Sequence, residues 1–245
     1  MIDRKMFDSA RLKVLGEGIA PSGIGTLSER VLHKILKHSL EPNEAYHEIE
    51  HLGYVADIKN ESGITEIQTR YLGKLSSKLD AFLGDTHVTV VFPLDAEKYI
   101  RIISRETGEI SPRRKSPRHA SVYDSFYELY NIRSYLSHPN LTVVLLFIGS
   151  EEYRYDSGKV FGRERARVRA ERIPYEIRDY VVLDTPDSYR ALIPVGLPEE
   201  FTAADFNRAI GKKFKHGYSG IQILLSVGLV ELSRKVGRKA LYKLK

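Results

Sequence analysis

Apolar residues recur with helical spacing at Leu27, Val31, Leu32, Ile35 and Leu36, which predicts a helix over residues 27–39. Thr26 with Glu29 three residues on makes a capping box at its start, and Glu41-Pro42-Asn43 ends it. Upstream, residues 8–15 read as a short helix and 16–25 as a glycine-rich loop. Three short strands follow, over 45–50, 53–59 and 64–70, the last alternating apolar and polar side chains. Leu72, Leu75, Leu79, Phe82 and Leu83 share one face of a helix over 72–83, which Gly84 stops. HVTVVFPL at 87–94 has the β-branched, unbroken apolar character of a strand covered on both faces. A separate strand is expected over 98–104, a proline-bounded basic loop over 111–118, a helix over 122–135 and a buried strand over 141–148. Residues 151–155 extend that strand or form a short one. RERARVRAER at 163–172 fits a strand or a helix, and 180–183 with 189–193 reads as a small hairpin.

The final fifty residues have their own order. Thr202 caps a helix over 203–210, residues 211–217 turn, and Ser219 caps a second helix over 220–227 with Ile221, Leu224 and Leu225 inward. Gly228 closes it, and strands over 229–233 and 240–244 flank Val236-Gly237. Helix, turn, helix and basic hairpin in succession resemble a winged helix-turn-helix.

The densest chemistry lies in Gly53 to Arg70, GYVADIKNESGITEIQTR. Asn60-Glu61-Ser62-Gly63 has the residue types of a tight turn between two strands. Alternation puts Glu66 and Gln68 on one face of the second strand, and a hairpin sets Asp57 beside Glu66. Two carboxylates held together repel unless a proton or cation lies between them. A hard divalent cation such as magnesium suits these oxygen ligands.

Composition and charge narrow the classes. The chain of 245 residues is 42% hydrophobic and 29% charged, and it has no cysteine. That is a globular profile, without disulfides, thiolate metal sites or a cysteine nucleophile. No apolar run reaches the roughly 20 residues of a membrane span, and the first residues lack the apolar core of a signal peptide, so the expected location is cytoplasmic. From Arg208 to Lys245 the net charge is +9 against +6 for the whole chain, so the remainder carries −3. A basic C-terminal piece on a near-neutral body points to a polyanion, most often nucleic acid.

Helix, three strands, helix and buried strand, with Asp57 ending one strand and Glu66 on the next, resemble the core of the PD-(D/E)xK nuclease superfamily over residues 25–94. The resemblance implies an α/β fold: a restriction-endonuclease-like mixed sheet flanked by helices, followed here by a small winged-helix domain. It implies Mg2+ or Mn2+ held by Asp57 and Glu66, with Glu29 on the first helix as a further ligand. Asp57, Glu66 and Gln68 become the catalytic set. Gln68 stands where the superfamily usually has lysine; an amide can position water or phosphate but brings no charge. The expected domains are 1–172, nuclease-like; 173–195, a linking hairpin; and 196–245, winged helix.

The expected partner is duplex DNA, with no membrane, and a homodimer stays open. Arg113, Arg114 and Lys115 of the basic loop are candidate phosphate contacts. Lys212, Lys213 and Lys215 lead into the second C-terminal helix, where Tyr218, Ser219 and Gln222 are the candidate base contacts. Arg234, Lys235, Arg238 and Lys239 would grip phosphates from the wing. Three readings compete: a metal-dependent DNA endonuclease, a non-catalytic DNA-binding protein or regulator on a degenerate nuclease fold, and a structural adaptor that uses the winged helix for protein contact. Glu29 is equally explained by its capping box, Glu48 and Glu50 are weaker ligands, and Tyr123, Tyr127 and Tyr130 read as packing. His47 and His51 sit on a predicted strand, which breaks the helical spacing of a zinc pair.

Overall fold

A computed structural model describes residues 3–16, 28–156, 159–160, 163–164, 169–211 and 216–245; the side chains of 28–30, 159–160 and 163–164 lie outside that description. In chain order the elements are α1 (Arg4–Gly16), α2 (Ser28–Leu40), β1 (His47–His51), β2 (Tyr54–Asn60), β3 (Gly63–Ile67), α3 (Ser76–Phe82), β4 (Val88–Ile103) and β5 (Arg114–Lys115). They continue with α4 (Phe126–Asn131), β6 (Leu141–Tyr155), β7 (Lys159–Val160), β8 (Arg163–Glu164), β9 (Arg169–Leu183), α5 (Ala203–Ala209), α6 (Gly217–Ser226), β10 (Val230–Val236) and β11 (Lys239–Leu244). Seven strands make one mixed sheet in the order β1-β2-β3-β4-β6-β9, with β5 on β4. β2 and β3 are antiparallel, β3 and β4 parallel. The α/β class and the mixed sheet are therefore established. Among the described residues no helix is long and apolar enough to cross a membrane.

The chain divides into two compact units. Unit 1 comprises Met1–Ile49, Asp95–Ala120 and Leu146–Asp179; unit 2 comprises Glu50–Leu94, Ser121–Leu145 and Tyr180–Lys245. In unit 1, Phe7, Ala10 and Val14 form the buried stripe of α1, and Val31, Leu32, Ile35 and Leu36 that of α2. These spacings of three and four make a continuous apolar seam, and burying one such large side chain stabilises by roughly 1.5–3 kcal/mol. In unit 2 the core gathers Ile58, Ile64 and Ile67 of the hairpin, Leu79 and Phe82 of α3, and Phe126 and Leu129 of α4. Gly220 lets α6 close on this core, since a Cβ there would lie 2.7 Å from the Phe126 ring and 2.8 Å from that of Phe206.

Several expectations are corrected. The strands expected at 87–94 and 98–104 are one strand, β4, buried up to Leu94 and half-buried beyond. Residues 141–155 are likewise the single strand β6. Helical spacing over 72–75 and 122–125 resolves as 3-10 turns that lead into α3 and α4. The linking hairpin is absent: Tyr180 to Leu183 end β9, and Pro186–Leu192 form a 3-10 helix whose N-cap Thr185 satisfies Ser188. The basic loop contains strand β5, paired with β4 at Tyr99 and Ile100. α6 begins at Gly217, so Ser219 lies inside it rather than capping it, and Ile223 is buried where Leu225 was expected. The expected loop at 16–25 lies, beyond Gly16, outside the described residues.

Candidate functional site

The β2–β3 hairpin in unit 2 is fixed by its turn. Asn60 pairs with Gly63 across Glu61-Ser62, and the Asn60 Oδ1 accepts the Ser62 N–H at 3.0 Å. Gly63 has φ of +115°, and a Cβ there would stand 2.3 Å from the His87 carbonyl oxygen. That same oxygen accepts the Ile64 N–H at 2.9 Å, so the glycine both makes the turn and seats β3 on β4. The hairpin register runs through Ile58 opposite Thr65, and its next step sets Asp57 across from Glu66. There Asp57 Oδ2 takes the Ile67 N–H at 2.7 Å.

Glu66 is 2% exposed. The Lys78 ammonium, reaching down from α3, donates to its two oxygens at 2.9 and 2.8 Å. Burial, and secondly the Asp57 carboxylate, push the Glu66 carboxyl up to about 7, against the opposing pull of Lys78. At Glu66, burial and the neighbouring acid thus outweigh the lysine. Two adjacent carboxylates are hard oxygen donors of the kind a divalent cation takes, so the donor chemistry of Asp57 and Glu66 suits the ion that the PD-(D/E)xK resemblance implies. Among the described residues no group of three or more His, Asp or Glu is arranged for a metal, and the Glu29 side chain lies outside them. Glu48 and Glu50 are exposed, Glu48 being paired with Lys37.

Gln68 is half-buried, and its amide nitrogen donates to the Arg70 carbonyl. The residue that sequence reasoning missed is Lys78. A signal was present: Leu75, Leu79 and Phe82 are buried, and Lys78 lies three after Leu75 and four before Phe82. A lysine inside an apolar stripe has a buried partner to meet.

The nucleic-acid candidates separate into held and unheld groups. In unit 1, Arg113 stacks over the Tyr99 ring at 4.4 Å and pairs with Glu151, and Lys115 pairs with Glu97; Arg114 is exposed. In unit 2, Arg234 is bound by Glu200 through two nitrogens. Lys235, Arg238 and Lys239 are exposed around the β10–β11 turn, without a side-chain partner among the described residues. On α6, Tyr218 is exposed and Ser219 and Gln222 half-buried along its outer face, while Lys212, Lys213 and Lys215 lie outside the described residues. Tyr127 is 54% exposed beside His216, so it is not the packing residue expected. His47 and His51 do fall on β1, bonded to the Glu41 carbonyl and to Asp85.

Unit 1 contains a second charged cluster. Arg172 donates to Asp95 Oδ1 at 3.0 and 2.6 Å, and Ser150 to the same oxygen at 2.7 Å. Glu152, 1% exposed, is met by Lys98 at 3.2 Å, Arg154 at 2.5 Å and Arg169 at 3.5 Å. Arg172 is thus satisfied by an acid 77 residues away in the chain. Its neighbour Glu171 is buried, accepts the Arg172 N–H, and is pushed up to about 7 by that burial.

The family described as "Domain of unknown function (DUF8091)" matches residues 30–184. That span includes Asp57, Glu66, Gln68 and Lys78 and excludes Glu29 and the C-terminal fifty residues. An uncharacterized protein of Treponema pallidum (strain Nichols) is 29% identical over 221 residues, covering 90% of this chain and 87% of the relative. No solved structure matches.

Proposed function

This chain belongs to the DUF8091 family, and from that premise we propose that it is a metal-dependent DNA endonuclease of the PD-(D/E)xK kind, brought to duplex DNA by a C-terminal winged helix. The observation that carries the reading is Glu66: a buried carboxylate beside Asp57, clamped by a single lysine and held up to about 7. Asp57 and Glu66 would hold Mg2+ or Mn2+, with Glu29 as a further ligand. Such an ion, when bound, activates water and stabilises charge on a phosphodiester. Lys78 supplies from α3 the positive charge that Gln68 lacks; it neutralises Glu66 and steadies a phosphate oxygen. Gln68, with its nitrogen engaged by Arg70, offers its oxygen to a water. For DNA, the order α5, α6 and β10–β11 supports a winged helix, with Lys235, Arg238 and Lys239 on phosphates. The outer face of α6 presents Tyr218, Ser219 and Gln222 to the groove.

A second reading, a DNA-binding regulator without catalysis, is favoured by one observation: Lys78 already meets both Glu66 oxygens. Plasmid nicking with Mg2+ separates the two. The endonuclease nicks, and Asp57→Ala slows nicking by about a thousandfold while retaining DNA binding. Salt-sensitive binding without nicking by the wild type selects the regulator, and absence of both removes both readings.

A further inference from the structure

Three tyrosines of unit 2 keep their rings in water. Tyr71, Tyr127 and Tyr218 are 56, 54 and 53% exposed, the most exposed tyrosines among the described residues. A tyrosine ring ordinarily packs its apolar body away from water, and a group of bared rings marks an interaction surface. The helix α4 joins the three. Its Tyr127 ring lies 5.6 Å from that of His216, and its Tyr130 ring 6.5 Å from that of Tyr218 on α6. Three residues on, the Arg133 guanidinium covers the Tyr130 ring at 4.1 Å and donates to the Tyr130 carbonyl.

Residues 71–75 dock along the same helix. The Leu72 N–H donates to Glu128 at 2.8 Å, and a Cβ on Gly73 would stand 3.2 Å from the Asn131 Cβ. That anchorage holds Tyr71 in the left-handed region, with φ of +58°, where a bulky side chain is strained and a glycine would not be. The Tyr71 ring carries the Lys74 ammonium at 5.3 Å. Rings therefore alternate with cations across α4, α6 and the 71–75 segment, whose exposed large apolar residues are tyrosines alone. Glu128 is the single acid of these segments and is engaged by the Leu72 N–H. An unpaired nucleic-acid strand has the matching alternation, a base with two π-faces and then a phosphate. A duplex keeps its bases stacked on one another and has none to lay on such rings.

We propose that this surface stacks unpaired bases of single-stranded DNA on Tyr71, Tyr127 and Tyr218, with Lys74 and Arg133 on the phosphates. It rests on the DNA reading above for the identity of the polymer, and it narrows the substrate to DNA with an unpaired stretch. Tyr218 meets an unpaired base, while Ser219 and Gln222 face the paired part. Gln68 donates to the Arg70 carbonyl, one residue before Tyr71, so the platform adjoins the end of the strand that carries Glu66.

The test follows the fluorescence anisotropy of a labelled oligothymidine of about 15 nucleotides with the full chain in EDTA, where no cleavage contributes. The wild type should bind it at least about tenfold more tightly than an abasic strand of equal length, which keeps the phosphates and lacks the bases. Tyr127→Ala and Tyr218→Ala, at exposed positions, should each weaken binding about tenfold, and Tyr127→Phe and Tyr218→Phe should bind as the wild type does. Tyrosine-dependent binding by a chain that does not nick plasmid sinks the endonuclease and leaves this proposal standing; nicking by a chain that ignores oligothymidine does the reverse. The proposal is overturned if the abasic strand binds equally, or if both alanine variants bind as tightly as the wild type. Tighter binding of oligouridine overturns it in favour of RNA. Dimerisation in sedimentation that Tyr127→Ala abolishes overturns it in favour of a second copy of the chain.

Discussion

Glu66 and Glu152 are equally buried, at 2% and 1% exposed, yet their surroundings drive them in opposite directions. Burial raises both. At Glu152 that effect is outweighed by Lys98, Arg169 and Arg154, and the carboxyl ends below its ordinary value. At Glu66 a single lysine is offset by Asp57, and the carboxyl rises to about 7. The difference is the number of cations per buried acid. Glu152 sits among several cations that offset its burial, whereas at Glu66 burial and Asp57 outweigh the lysine, a perturbation of the kind concentrated at functional sites.

Four experiments break or sharpen this contrast. The largest effect is on cleavage: Asp57→Ala or Glu66→Gln should slow plasmid nicking by about a thousandfold, equivalent to roughly 4 kcal/mol of barrier, while Glu152→Gln leaves the rate per folded molecule unchanged. Stability should respond the other way. Glu152→Gln removes the buried acid that Lys98, Arg154 and Arg169 share and should cost about 3 kcal/mol in urea unfolding, whereas Glu66→Gln removes a repelled charge and should shift stability by less than about 1 kcal/mol.

The pH dependence carries the same opposition. The folded chain keeps a proton on Glu66 that the unfolded chain has lost above 4.5. Its contribution is complete below that value and declines as pH rises through about 7, by on the order of 2 kcal/mol. The Glu152 contribution is instead present above its unfolded value and lost as acid protonates it. Denaturant melts between about pH 5 and pH 8 should therefore show a downward slope that Glu66→Gln flattens and Glu152→Gln does not. Glu171, also raised to about 7, adds to that slope, so Glu171→Gln serves as the control. The smallest effect lies in the wing. Replacing Lys235, Arg238 and Lys239 by Ala should lower the salt dependence of DNA binding by up to about three ions, and Arg234→Ala by less than one, because Glu200 already holds it.

The hairpin and its acids were legible in the sequence because the information is local. Asn60 to Gly63 specify a turn, and alternation places Glu66 once the turn is known. Lys78 was harder, since its partner lies twelve residues back and helical periodicity shows only that a lysine interrupts an apolar stripe. The single strands β4 and β6 look like pieces in the sequence because their burial changes partway, at Leu94 and along β6, and hydropathy reports burial rather than backbone continuity. The Asp95–Arg172 contact, spanning 77 residues, depends on strand pairing that no local pattern encodes. The start of α6 is not legible in the sequence because Ser219 has the chemistry of a cap, while the helix begins at Gly217, where Gly217 and Gly220 pack closely against Asn207 and against Phe126 and Phe206.

The most direct measurement is the anomalous difference density of crystals soaked in Mn2+ above pH 7, where Glu66 is ionised. A peak shared by the Asp57 and Glu66 carboxylates, lost in Glu66→Gln, is the expected result. Ordered Asp57 and Glu66 side chains with no peak between them, and Lys78 still on both Glu66 oxygens, would contradict the capture of a cation by this pair.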